Sequence, residues 1–194
     1  KIYRGMTKPY ESVVAPFVAG SEIPLARAYD PAFASSVFRR RPPAHLEIAV
    51  SAGASEQIGL LMQEHLERVG AKASIKKYAA QILLAPQGPL RSGRFDVALF
   101  GEYFSPDPDL TATWGCEARP PNGGNFSRLC DPSLDRRAAA GDIRGALEEL
   151  RRQAAVVPLV GSVQYVGLSK RTRGAKDARD MIPTVYGCAE WSFA

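Results

Sequence analysis

A strand, a helix and a second strand follow one another between His45 and Tyr78, and no other stretch limits the possible folds as tightly. Residues 45–51 (HLEIAVS) alternate so that Leu46, Ile48 and Val50 share one face. The turn that follows places Ser55 to cap a helix carrying Ile58, Leu61, Met62, Leu66 and Val69 at helical spacing, and Gly70 is placed to end it. Residues 71–78 (AKASIKKY) return as another strand. Two strands joined through a helix run parallel, with a right-handed crossover, so the fold class is α/β.

The remaining elements fit around that unit. Asp30-Pro31 reads as a helix start, with Asp30 as N-cap and Phe33, Ala34, Val37 and Phe38 in the helix before Pro42-Pro43 stop it. Residues 95–100 (FDVALF) read as a buried strand. Residues 142–155 read as an amphipathic helix with Ile143, Ala146, Leu147, Leu150 and Ala154 on one side. Residues 156–160 and 164–168 read as extended, residues 79–91 fit neither pattern, and the tail from Arg171 onward reads as irregular.

Composition narrows the function classes. With 45% hydrophobic and 23% charged residues the chain is globular, and no apolar run approaches the roughly 20 residues that span a bilayer. The net charge of +5 comes from scattered basic residues, clustered only at Arg39–Arg41 and 170–173, without interleaved aromatics on a long helix. A solvated surface is expected, with no nucleic-acid partner. The opening KIYRGMTKPYESVV reads as the middle and exit of a helix, so a fragment or processed piece is expected and the lack of a targeting signal carries no weight.

Catalysis has little to build on. His45 and His65 lie in no recognisable motif, and no nucleophile elbow, P-loop or dinucleotide fingerprint is present. Asp107 and Asp109 read as turn and cap residues before they read as a catalytic pair. No catalytic residue, metal site or cofactor is expected. The spacing of Cys116, Cys130 and Cys188 fits no zinc pattern. Cys116 and Cys130 flank PPNGG, whose turn formers can bring the ends together. A disulfide there would contribute about 3 kcal/mol and imply an oxidising compartment; two unpaired thiols are the alternative.

Binding has more. The chain leaves the 95–100 strand through Gly101, Glu102, Tyr103, Phe104 and Ser105, before Pro106 and Pro108 fix its path. Two aromatics with an acid and a hydroxyl make a mostly apolar surface with a few directing groups, as small-molecule sites do. Packing of Tyr103 and Phe104 under a loop is the alternative.

The order of motifs resembles the family 5 extracellular solute-binding proteins, the peptide, dipeptide and nickel receptors of ABC importers. That family carries G-D-F-D-x-A-L-x-G-W-x-A-D-Y-x-D-P, then N-[YF]-S, then D/N-P-x-[VLF]-D. This chain has Gly93-Arg-Phe-Asp-Val-Ala-Leu-Phe-Gly101, Asp107-Pro108, Asn125-Phe126-Ser127 and Asp131-Pro-Ser-Leu-Asp135. The resemblance implies a periplasmic-binding-protein-like lobe with a βαβ-containing sheet flanked by helices. Residues 1–160 would form a C-terminal lobe and 161–194 a segment returning toward an N-terminal lobe. It further implies a monomer outside the cytoplasm, in the periplasm or anchored as a lipoprotein. There the receptor captures a peptide-like or other small solute for a membrane permease, with no enzymatic step. Ligand-binding residues would be Glu102, Tyr103, Phe104, Ser105 and Asp107, and some dipeptide receptors place a disulfide around N-Y-S, as Cys116–Cys130 would here.

The departures bear on specificity. Glu102 stands where the family has Trp, and the spacing to Asp107 is one residue short. Ser105 lies nearest the aspartate that meets a peptide's α-amino group. An ammonium buried there would lose its charge partner. The loop between Asp135 and the 142–155 helix is also shorter than usual. A ligand-sensing domain of a transcription regulator is the second reading, and would keep both cysteines reduced in the cytoplasm.

Overall fold

The computed structural model describes residues 11–14, 18–24, 28–42, 45–101, 108–161, 171–173 and 192–193. Strands β1 (Leu46–Ser51), β2 (Ala73–Tyr78) and β3 (Val97–Leu99) form a parallel sheet in the order β2-β1-β3. Ile48 lies opposite Ile75 on one side and Val97 on the other, which sets the register. One face of the sheet buries Ile48, Val50, Ala73 and Leu99 against Ile58, Met62 and Leu66 of helix α2 (Ala54–Arg68). Helix and sheet approach closely because Gly59 carries no side chain: a Cβ there would lie 2.9 Å from Val50 Cγ1.

The opposite face is closed differently. Ala49 packs with Leu83 and Leu90, which come from two short helical turns, α3 (Ala80–Leu83) and α4 (Pro89–Ser92). These turns resolve the ambiguity of residues 79–91. With helices on both faces of a parallel sheet, the α/β class expected from the sequence is observed.

Several boundaries differ from expectation for physical reasons. Helix α2 begins at Ala54 and its N-cap is Gly53, not Ser55, because the exit from β1 needs a backbone of φ 94 that favours glycine. Strand β3 is shorter than residues 95–100. At its entry the Asp96 carboxylate accepts from the Glu47 N–H (2.7 Å), a side chain standing in for the ladder. Residues 156–160, expected to be extended, carry a single β-bridge at Val160. They strap the two neighbouring cores together, with Val156 on the helical core and Leu159 on the α2 side of the sheet. In the tail, β4 (Thr172–Arg173) and β5 (Ser192–Phe193) form a short antiparallel pair where irregular chain was expected. The extended segment expected at 164–168 lies outside the described residues, as does Cys188.

A helical unit packs beside the sheet. Helices α5 (Leu110–Trp114), α6 (Pro132–Ala139) and α7 (Ile143–Gln153) bury Leu110, Trp114, Leu134, Ala146, Leu147 and Leu150 with Val13, Val14 and Ile23. Ala154, expected on the buried side of α7, instead ends it in the left-handed region at φ 51. Helix α1 (Pro31–Arg40) starts as expected, with the Phe33 N–H donating to Asp30 at 2.8 Å, but buries no residue fully and leaves Phe33 exposed.

Three aspartates cap the helical unit, and all three are shifted toward the ionised form. Asp109 is held below the usual carboxylate range by the Thr111 hydroxyl and the Ala112 N–H. Asp131 is lowered by Gln153 and the Ser133 N–H, and Asp142 by the Gly145 N–H and Arg137. A carboxylate whose folded pKa is depressed contributes stability that is present above its unfolded pKa and lost as pH falls through the folded one. The melting temperature should therefore hold down to about pH 5 and fall below about pH 4. An Asp131→Asn, Asp142→Asn variant keeps capping acceptors that do not titrate, and its melting temperature should depend less steeply on acid. An unchanged slope would show that these caps do not set the acid limit.

Candidate functional site at the sheet edge and the disulfide loop

The connection from β1 to β2 crosses one face through α2, while the connection from β2 to β3 crosses the other through α3 and α4. The strand order therefore reverses between β1 and β3. At such a switch point the two connections part and leave a crevice beyond the carboxyl ends of the strands, where open α/β sheets hold ligands. Here Val50 pairs with Leu99, so Ser51 and Phe100 flank the mouth. Gly101 follows, and a Cβ built on it meets no atom of the described residues within 4 Å. The sequence-derived ligand residues Glu102, Tyr103, Phe104, Ser105 and Asp107 lie outside the described residues.

The neighbouring loop, 115–131, is braced from within. Cys116 and Cys130 form a disulfide with Cα atoms 4.5 Å apart. Inside it, Asn125 is fully buried. Its Nδ2 donates to the carbonyls of Trp114 (2.9 Å), Gly115 (3.0 Å) and Leu129 (2.9 Å), so two hydrogens serve three acceptors. Its Oδ1 accepts from the Ser127 hydroxyl at 2.7 Å, and that hydroxyl accepts from the Leu129 N–H. The Cys116 N–H donates to Asp135 of α6, tying the loop to the helical unit.

Phe126 carries the loop to the sheet. Its ring meets Phe100 edge to face at 5.5 Å, directly at the exit of β3, and Arg91 lies 5.9 Å over its centroid. Asn125 thus organises the loop while its neighbour anchors it at the crevice mouth. The N-F-S triplet was visible in the sequence, but its division into a buried amide and an anchoring ring was not. Arg91, which donates to the Pro121 and Gly123 carbonyls, carried no sequence signal at all.

Candidate catalytic groups are dispersed. Asp109 is a helix cap, with its Oδ1 accepting from the Thr111 and Ala112 N–H groups. His45 meets Ser74 at 2.6 Å at the amino end of the strands, the opposite edge from the crevice, and His65 lies on α2 beside α1. Among the described residues no group of three or more His, Cys, Asp or Glu could hold a metal, and no helix is long and apolar enough to cross a membrane.

No family model and no curated protein matches the sequence. Solved structures do match in fold. The periplasmic binding protein DppA from Helicobacter pylori, solved with the peptide STSA, aligns over 99% of this chain and 40% of its own, at 16% identity and a TM-score of 0.69. NikA from Brucella suis, solved with Fe(III)-EDTA, aligns over 81% of this chain and 37% of its own, at 21% identity and 0.62. The murein tripeptide binding protein MppA from Escherichia coli aligns over 88% and 37%, at 18% identity and 0.62. The chain has the fold of part of these substrate-binding proteins and spans about two fifths of their length.

Proposed function

We propose that the chain is a substrate-capturing lobe of an extracytoplasmic receptor of the family 5 kind, which delivers a peptide-like or other small solute to an ABC permease. Residues 1–160 make the lobe and 161–194 return toward a second lobe. Ligand is held by closure of two lobes and released unchanged. The observation that supports this reading is the β1/β3 switch point with Gly101 at its mouth; in the sequence Gly101 is followed by Glu102, Tyr103, Phe104, Ser105 and Asp107, the proposed ligand contacts. The Cys116–Cys130 bridge supports an oxidising compartment and weighs against a cytoplasmic regulator.

The same edge argues for an altered ligand preference. Glu102 in place of an aromatic, and Ser105 near the position of an ammonium-binding aspartate, favour a solute other than a plain peptide amino terminus. Tyr103→Ala in the full-length receptor should weaken binding of the solute that co-purifies with it about tenfold, the loss of one aromatic contact to ligand. Calorimetric titration reads this directly. Unchanged affinity would remove the strand exit from the binding site.

A further inference from the structure

Two sets of arginines among the described residues are held in different ways. Arg68, Arg137, Arg144 and Arg152 all pair with carboxylates. Arg91, Arg94, Arg119 and Arg128, around the disulfide loop, reach no carboxylate among the described residues; backbone carbonyls hold them instead. Arg119 Nε donates to Cys116 O at 2.7 Å and an Arg128 terminal nitrogen to Arg91 O at 2.6 Å. Arg91 donates to Pro121 O at 3.2 Å, and Arg94 to Gln87 O at 3.0 Å. A neutral carbonyl fixes where a guanidinium points without cancelling its charge.

Two of these arginines, Arg119 and Arg128, line one open concavity of about 360 Å³. Pro120, Pro121, Asn122 and the bridged Cys116 complete most of its wall, and Glu117 is its one acid. Arg128 shows a second, independent peculiarity. It sits at φ 57, in the left-handed region where glycine is favoured, so a long cationic side chain occupies a position whose backbone disfavours it. The guanidinium kept there ties the loop to α4 through Arg91 O and remains at the wall of the concavity.

We propose that this concavity binds a phosphate-class anion, with Arg119 and Arg128 as its two forks and Arg91 fixing Arg128. A planar guanidinium with free N–H groups matches phosphate oxygens two at a time. Against Glu117 the two arginines leave the lining one net positive charge, which a bound anion offsets. The site stands on the loop's own residues and is independent of the capture role proposed above.

Inorganic pyrophosphate titrated into the intact protein at low ionic strength tests this. The wild type should bind it saturably, and both Arg119→Gln and Arg128→Gly should weaken binding about tenfold, the loss of one charge-assisted fork. Arg128→Gly relieves the left-handed strain but gives up the bond to Arg91 O, so its circular dichroism should match the wild type at the titration temperature, which separates lost contact from lost fold. Arg144→Gln, whose arginine is already paired with Glu22, should bind as the wild type does. Absence of saturable binding to the wild type, or equal weakening by Arg144→Gln, overturns the proposal. Vesicles containing phosphatidylglycerol supply the other arm. Binding to them that Arg119→Gln abolishes, with none to pyrophosphate, would overturn a solute site in favour of a membrane surface.

Discussion

Asn125→Asp is expected to destabilise the protein by roughly 3–5 kcal/mol, more than any other single substitution near the sheet edge. The amide nitrogen faces the Trp114, Gly115 and Leu129 carbonyls, and the side chain is fully buried. An aspartate of the same shape puts an acceptor against three acceptors. Ionised, it is a buried charge facing negative dipoles; protonated, it offers one hydrogen where the amide offered two. Asn125→Ala should cost less, about 2–3 kcal/mol, since it leaves the carbonyls unpaired without adding repulsion. Chemical denaturation of the three proteins orders them. If Asn125→Asp has the same midpoint as wild type, the amide is not the organiser of the loop. Because Phe126 follows Asn125 and packs on Phe100, the substitution should also loosen the mouth of the crevice.

The framework was legible because it rests on local pattern. Leu46, Ile48 and Val50 alternate, the α2 residues repeat at helical spacing, and the parallel pairing of β1 with β2 follows from that order. Asp30-Pro31 marked a helix start through its own chemistry, and the chain obeyed it. What stayed hidden depended on groups distant in sequence. At the entry of β3 the Glu47 N–H is met by the Asp96 carboxylate from 49 residues away. Asn125 gathers carbonyls from Trp114 to Leu129, and the residue type alone cannot reveal that it is buried. Ser55 looked like the cap of α2, but the backbone angle at Gly53 decided the start, and a propensity for capping yields to a turn only glycine makes easily. At the candidate site, the residues expected from motif order lie outside the described residues, whereas the arginines that buttress the neighbouring loop belong to no motif.

Opening the Cys116–Cys130 bridge is expected to cost about 3 kcal/mol, the chain entropy released when a loop of this length is no longer closed in the unfolded state. For a chain of this size that lowers the melting temperature by roughly 6–12 °C. A Cys116→Ser, Cys130→Ser variant should keep its secondary structure, because the Asn125 bonds and the Cys116 N–H to Asp135 contact do not involve sulfur. Its circular dichroism at low temperature should therefore match the wild type while its unfolding comes earlier. Alkylation before and after reduction gives the complementary measurement. Both thiols should resist labelling until reductant is added, and free labelling of native protein from an oxidising compartment would eliminate the bridge. The bridge and Asn125 brace one loop, so removing both should cost less than the two losses added, as expected for residues sharing one network. That loop holds Phe126 against the β3 exit. If the exit is where solute is captured, the serine variant should release ligand faster even at temperatures where it is fully folded.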